Sequence, residues 1–173
     1  MTAAELFARH QVVALDSNVL IYLLEGSGSL ADAAGALVDG IEEGAAAGVL
    51  ASVALTEILT RPASLGDEVL FERYAEELRA IPNLRIVGLD AETAIDAAWG
   101  RSGHRDLGDA VHVATARRAG ATCLVTNDSR VRGRAGVEVV SLADIVPGDS
   151  GQEGEATSLR GPQGAEVPPV ERE

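Results

Sequence analysis

Five short apolar runs, most of them separated by stretches of helical periodicity, constrain this chain more than any other feature. The runs are Val12–Leu15, Val49–Ala51, Leu84–Val87, Thr122–Val125 and Val137–Val140. Each reads as a short buried strand. Between them, Val19–Leu24 reads as a helix broken by Gly26-Ser27-Gly28-Ser29, and Leu30–Ala47 as a second with Ala33, Leu37 and Ile41 on one face. A third helix is capped by Ser52, carries Glu57 and stops at Arg61-Pro62. Asp67–Ala80, Asp90–Gly100 and a helix capped by Asp106 and running to Ala119 follow, and Ser141–Ile145 forms a last turn or short helix. Strands alternating with helices imply a parallel sheet in one α/β domain, residues 1–146. Residues 147–173 change to Gly, Pro, Ser, Glu and Gln, with too little apolar surface to offset ordering entropy, and are expected to be a disordered acidic tail.

With 46% hydrophobic residues, chiefly Ala, Leu and Val, the domain can bury a core of aliphatic helix faces against the sheet. The single cysteine, Cys123, lies in an expected strand and reads as a small buried apolar residue. The apolar runs are too short for a membrane span, and no basic segment leads into an apolar one at the start, so a cytoplasmic location is expected.

Four acids stand where a core or strand end would not ask for a charge. Asp16 follows the first strand and Asp128 the fourth, while Glu57 and Asp109 fall inside apolar helical patterns. An unpaired charge is costly there. In an open α/β sheet, ligands gather outside the carboxyl ends of the strands. Four acids converging at that edge repel one another unless a cation lies between them. Each residue has a plainer reading too. Asp16 and Asp128 suit a cap or turn, Glu57 a solvent-facing stripe, and Asp106 a cap rather than a ligand. His112, three residues after Asp109, could approach the site as well, though a packed helix histidine is the plainer reading. Gly108 permits another group to approach the helix closely. Hard carboxylate oxygens select Mg²⁺ or Mn²⁺, and no Cys/His cluster competes for a softer metal.

Leu15-Asp16-Ser17-Asn18-Val19-Leu20, Ser52 through Glu57, Asp109-Ala110-Val111-His112-Val113-Ala114-Thr115-Ala116 and Val125-Thr126-Asn127-Asp128 together resemble the PIN-domain nucleases. They are most similar to the VapC-type toxins of toxin–antitoxin pairs, over about residues 10–146. The resemblance implies a three-layer α/β/α sandwich around a parallel sheet. It also implies metal-dependent RNA cleavage by Asp16, Glu57, Asp109 and Asp128, with Asp16 and Asp109 as direct ligands and Thr126 or Asn127 in support. An antitoxin partner and a homodimer follow from the same resemblance. The antitoxin would cover a groove built from the Ala-rich segment 26–48, which ordinary core packing explains equally well.

The formal charge of −13 runs against a nucleic-acid partner. Every basic residue is Arg, however, and Arg101, Arg105, Arg117, Arg118, Arg130, Arg132 and Arg134 cluster late, where they could form a local rim for phosphate. Arg117 and Arg118 also suit the helix dipole. Phosphotransfer proteins and haloacid-type phosphatases place an Asp after the first strand, but the first and usually the second need a later Lys, and this chain has none. A P-loop fails for want of its glycine-rich loop and Lys. A non-toxin RNA-processing nuclease and an inactive binding scaffold stay open.

Overall fold

The computed structural model describes residues 1–101, 106–134 and 136–146. The tail expected over 147–173 and His104 and Arg105 lie outside the described residues. Five strands form one parallel sheet in the order β3-β2-β1-β4-β5: β1 Val12–Leu15, β2 Ala47–Ala51, β3 Leu84–Val87, β4 Cys123–Thr126 and β5 Glu138–Ser141. Central β1 pairs Leu15 with Leu50 on one side and with Val125 on the other.

Alternation along the strands separates two cores. Val13 and Leu15 of β1, with Leu50, Cys123, Val125 and Val140, face helices α1 (Ala3–Arg9), α2 (Ser17–Glu25), α3 (Ser29–Glu42), α4 (Ser52–Leu65) and α5 (Glu68–Ala80). On the other face, Ala14, Val49 and Leu124 meet Val113 and Ala116 of α7 (Leu107–Arg118), and Ala51 meets Ala110 and Ala114 beside Ala97 of α6 (Ala91–Gly100). The result is the expected α/β/α sandwich. Small side chains on α7 let its axis lie close to the sheet, which is why an Ala-rich chain with few aromatics still packs.

Cys123 is fully buried, and burial pushes its thiol pKa up to about 12, consistent with an apolar packing role. No helix among the described residues is long and apolar enough to cross a membrane.

Four local readings are corrected. Helix α1 was not anticipated; Thr2 caps it in a reciprocal capping box with Glu5, and Leu6 and Phe7 are buried. Ser52 is the first residue of α4 rather than its cap, which is Ala51. The same helix runs through Pro62 to Leu65 and ends at Gly66, whose φ of 67° supplies the left-handed turn. Pro62 is buried against the core, so its packing and the glycine cap outweigh the ladder bond it cannot make. The helix expected over Leu30–Ala47 is shorter, since Ala47 already pairs with Val12 at the start of β2.

Helix α6 anchors the lower edge of α7 through a buried acid. Asp96 Oδ2 accepts from Arg117 Nε at 2.8 Å and Asp96 Oδ1 from Arg134 Nη1 at 2.6 Å. Two arginines expected at a phosphate rim are therefore tied to the fold. The Arg117 hydrogen bond holds the Asp96 pKa below its ordinary value against the opposing effect of burial, aided by the charges of Arg117 and Arg134. A depressed carboxyl pKa adds stability above the unfolded value near 4, and that stability is lost as pH falls through the folded value. Asp96→Asn should therefore lower stability at pH 7 by about 1–2 kcal/mol, since both arginines stay partly solvated. The gap between wild type and variant in thermal melts should narrow as the pH is taken below about 4.

Candidate metal and nuclease site

The chain visits β1, β2 and β3 on one side of the sheet and then crosses to β4 and β5, so strand order reverses between β1 and β4. Such a switch point opens a crevice at the carboxyl ends of the strands. Asp16 stands there. It leaves β1 with its N–H bonded to the Val125 carbonyl at 3.0 Å and caps α2, its Oδ1 accepting from Ser17 N–H at 2.7 Å. The capping and site readings of Asp16 are thus compatible. It is buried, and the positive end of α2 favours its charge.

Thr126, the last residue of β4, is the hub beside it. Its Oγ1 donates to Asp16 Oδ2 at 2.5 Å and accepts from Asn18 Nδ2 at 2.9 Å and from the Asp128 N–H at 3.0 Å. One donor and two acceptor positions use all that a hydroxyl offers. Asn18 Nδ2 also donates to Asp16 Oδ2 at 2.7 Å, and Asn18 Oδ1 accepts from the Asn127 N–H at 3.0 Å. Asn127 Nδ2 donates to Tyr22 Oη at 3.1 Å. Asn127 therefore braces Asn18 and Tyr22, while Thr126 touches the acid directly. Asn18 was not among the expected site residues. Its signal was its place two residues after Asp16, in the first turn of a helix.

Glu57 reaches the crevice from α4, and α7 supplies the other wall. His112 Nε2 lies 3.0 Å from Glu57 Oε2 and 3.3 Å from Asp16 Oδ1. Both readings of His112 hold: it is buried in the helix packing, and it approaches the site as the link between two acids. Burial opposes charge on the ring, but the Glu57 hydrogen bond and the charges of Asp16, Glu57 and Asp109 outweigh it and raise its pKa. The His112 hydrogen bond in turn lowers the Glu57 pKa, against partial burial.

Asp106 caps α7, its Oδ1 accepting from the Gly108 N–H at 2.7 Å, as expected. Asp109 lies in the first turn of that helix, one turn before His112. Asp128 is bound by Arg130, whose Nη2 donates to Oδ2 at 2.5 Å and whose Nε donates to Oδ1 at 2.9 Å. That hydrogen bonding holds the Asp128 pKa down at about 2. The compact donor set among the described residues is Asp16, Glu57 and His112, with ligand atoms within 4.8 Å of one another. Asp109 and Asp128 are not members of it. The set fits a hard divalent cation: two carboxylates converge with a single ring nitrogen between them, leaving negative charge that a cation would offset.

Residues 13–137 match the PIN domain family. The chain belongs to that family. Among solved structures, the PIN domain here is similar to a chain of FitAcB from Neisseria gonorrhoeae, with a TM-score of 0.60, 22% identity and coverage of 77% of this chain and 99% of that one. It is also similar to a chain of VapBC2 from Rickettsia felis bound to a promoter DNA fragment, with a TM-score of 0.59, 14% identity and coverage of 75% and 98%. A toxin–antitoxin complex from Klebsiella pneumoniae gives a TM-score of 0.54, 20% identity and coverage of 73% and 95%. No match is found among curated proteins.

Gly108 lets α4 and α7 of the PIN domain meet at this site. A Cβ at position 108 would fall 2.5 Å from Glu57 Oε1, the mobile end of a side chain, and 3.1 Å from Asp106 Oδ1. Gly108→Ala should therefore push the Glu57 carboxylate aside without unfolding the protein. Helix propensity even favours Ala by up to about 1 kcal/mol. The expected outcome is an unchanged or slightly higher melting temperature together with about 10-fold weaker Mn²⁺ binding in calorimetric titration.

Proposed function

We propose that this PIN domain is a divalent-metal-dependent endoribonuclease and the toxin of a toxin–antitoxin pair. The observation that carries the reading is the buried Asp16 carboxylate at the switch point, braced by Thr126 and Asn18 and joined to Glu57 through His112. The PIN family is one of nucleases, and the similar solved structures are toxin–antitoxin complexes, which supports both halves of the proposal.

In this reading Asp16, Glu57, Asp109 and Asp128 form the acidic site, with Asp16 and Asp109 as direct ligands of Mg²⁺ or Mn²⁺. A bound ion supplies charge neutralisation at the scissile phosphate and a water of lowered pKa. The protein supplies placement. Thr126 and Asn18 hold one Asp16 oxygen, and the Ser17 N–H at the start of α2 holds the other. Arg130, exposed beside Asp128, is a fork suited to a flanking phosphate of the RNA. A protein antitoxin, a homodimeric state and a cytoplasmic place of action belong to the same proposal.

The test is cleavage of a total-RNA pool by purified protein with Mn²⁺ or Mg²⁺. Cutting should require the metal, stop with EDTA, and fall by at least about 100-fold in Asp16→Asn and Asp109→Asn. Undiminished cleavage by Asp16→Asn would sink the assignment. Mn²⁺ binding without cutting of any RNA would point instead to a scaffold.

A further inference from the structure

The imidazole of His112 is the one nitrogen among the clustered donor atoms, and its other ring atom decides how it acts. Its side chain is only 2% exposed, and Nδ1 is buried with no hydrogen-bond partner among the described residues. A histidine that ligates a metal through Nε2 carries its proton on Nδ1 and almost always donates it to a carboxylate, carbonyl or water. Here that proton would be buried and unsatisfied, which is expensive. With the proton on Nε2, the bare Nδ1 loses far less, and the N–H faces the two carboxylates at 3.0 and 3.3 Å. A carboxylate accepts and has no proton to give. The ring therefore suits donation toward them.

We propose that His112 is a positioning residue that donates through Nε2–H to Glu57 and Asp16, holding these acids in register for the cation, and that it is not itself a ligand. The inference rests on the proposed metal site. The N–H spans elements distant in sequence: α7 carries the donor, α4 carries Glu57, and Asp16 joins β1 to α2. Ser17 is the other side-chain donor near both acids, its Oγ 3.4 Å from Asp16 Oδ1 and hydrogen-bonding to Glu57, but a hydroxyl has one proton and serves one acid at a time. Without His112 the partly exposed Glu57 side chain loses its larger hydrogen bond.

The first test needs no variant. The wild-type protein is loaded with Mn²⁺ and examined by pulsed electron paramagnetic resonance for nitrogen-14 modulation from a coordinated imidazole. None is expected, and its presence would overturn the proposal while leaving the metal site intact. The second test compares Mn²⁺ titrations of wild type, His112→Gln and His112→Ala, with circular dichroism and melting curves as controls on folding. Gln offers an amide N–H donor, so it should keep affinity within about 3-fold, whereas Ala should lose about 10-fold or more. An Ala variant with wild-type affinity, or a folded Gln variant as weak as Ala, would overturn the proposal. Failure of the wild type to bind Mn²⁺ at all would remove the metal reading and this inference with it.

Discussion

The hydrogen bond from Thr126 to Asp16 joins the ends of two adjacent strands at the point where the sheet reverses its order. Everything at the site is arranged around it. A buried carboxylate needs donors, and here they come from the α2 N-terminus, a side chain one turn into α2, the end of β4 and the middle of α7. These elements meet only because β1 is central and β4 is laid beside it after the long excursion through β2 and β3. Asp16 is thus satisfied by the topology as much as by its neighbours in sequence. The bonds that satisfy the acid also fix its direction, which a cation site demands.

Much of this was legible beforehand because strand runs, turn residues and caps are local signals. The positions of β1, β3 and β4 followed from short apolar runs, the cap at Asp106 from an acid placed just before helical periodicity, and the starts of α5 and α6 from Asp67 and Asp90, which prove to be their caps. What escaped has physical causes too. Helix α1 is a single short amphipathic segment whose burial depends on Gly40 leaving room for the Phe7 ring, a contact between distant elements. Pro62 reads as a helix stop by backbone chemistry, yet tertiary packing and the Gly66 turn decide otherwise.

At the site, Asp16 and Glu57 could be picked out because a charge at a strand end or in an apolar pattern is conspicuous. His112 stood out less, because an imidazole inside an apolar helix is the ordinary look of a packed histidine. Only the approach of α4 and β1 to α7 distinguishes the two roles. The arginines part company for a different reason. Clustering in sequence suggested a shared surface, but Asp96 takes Arg117 and Arg134, and Asp128 takes Arg130. Proximity along the chain said nothing about which carboxylate each fork would find.

Helix α7 shows why fold and site cannot be varied independently here. From Gly108 to Ala116 it is buried almost without interruption, so its rotation about its own axis is set by Val113 and Ala116 against the sheet and by Ala110 and Ala114 against Ala51 and Ala97. The residues between those contacts inherit their direction. Asp109 and His112, three apart, share the face that looks along the strand ends, and Gly108 precedes them where Glu57 arrives. A change of volume in that packing layer is felt at the histidine, because a close-packed interior transmits strain. The precision of the site is therefore a property of the alanine layer beneath it.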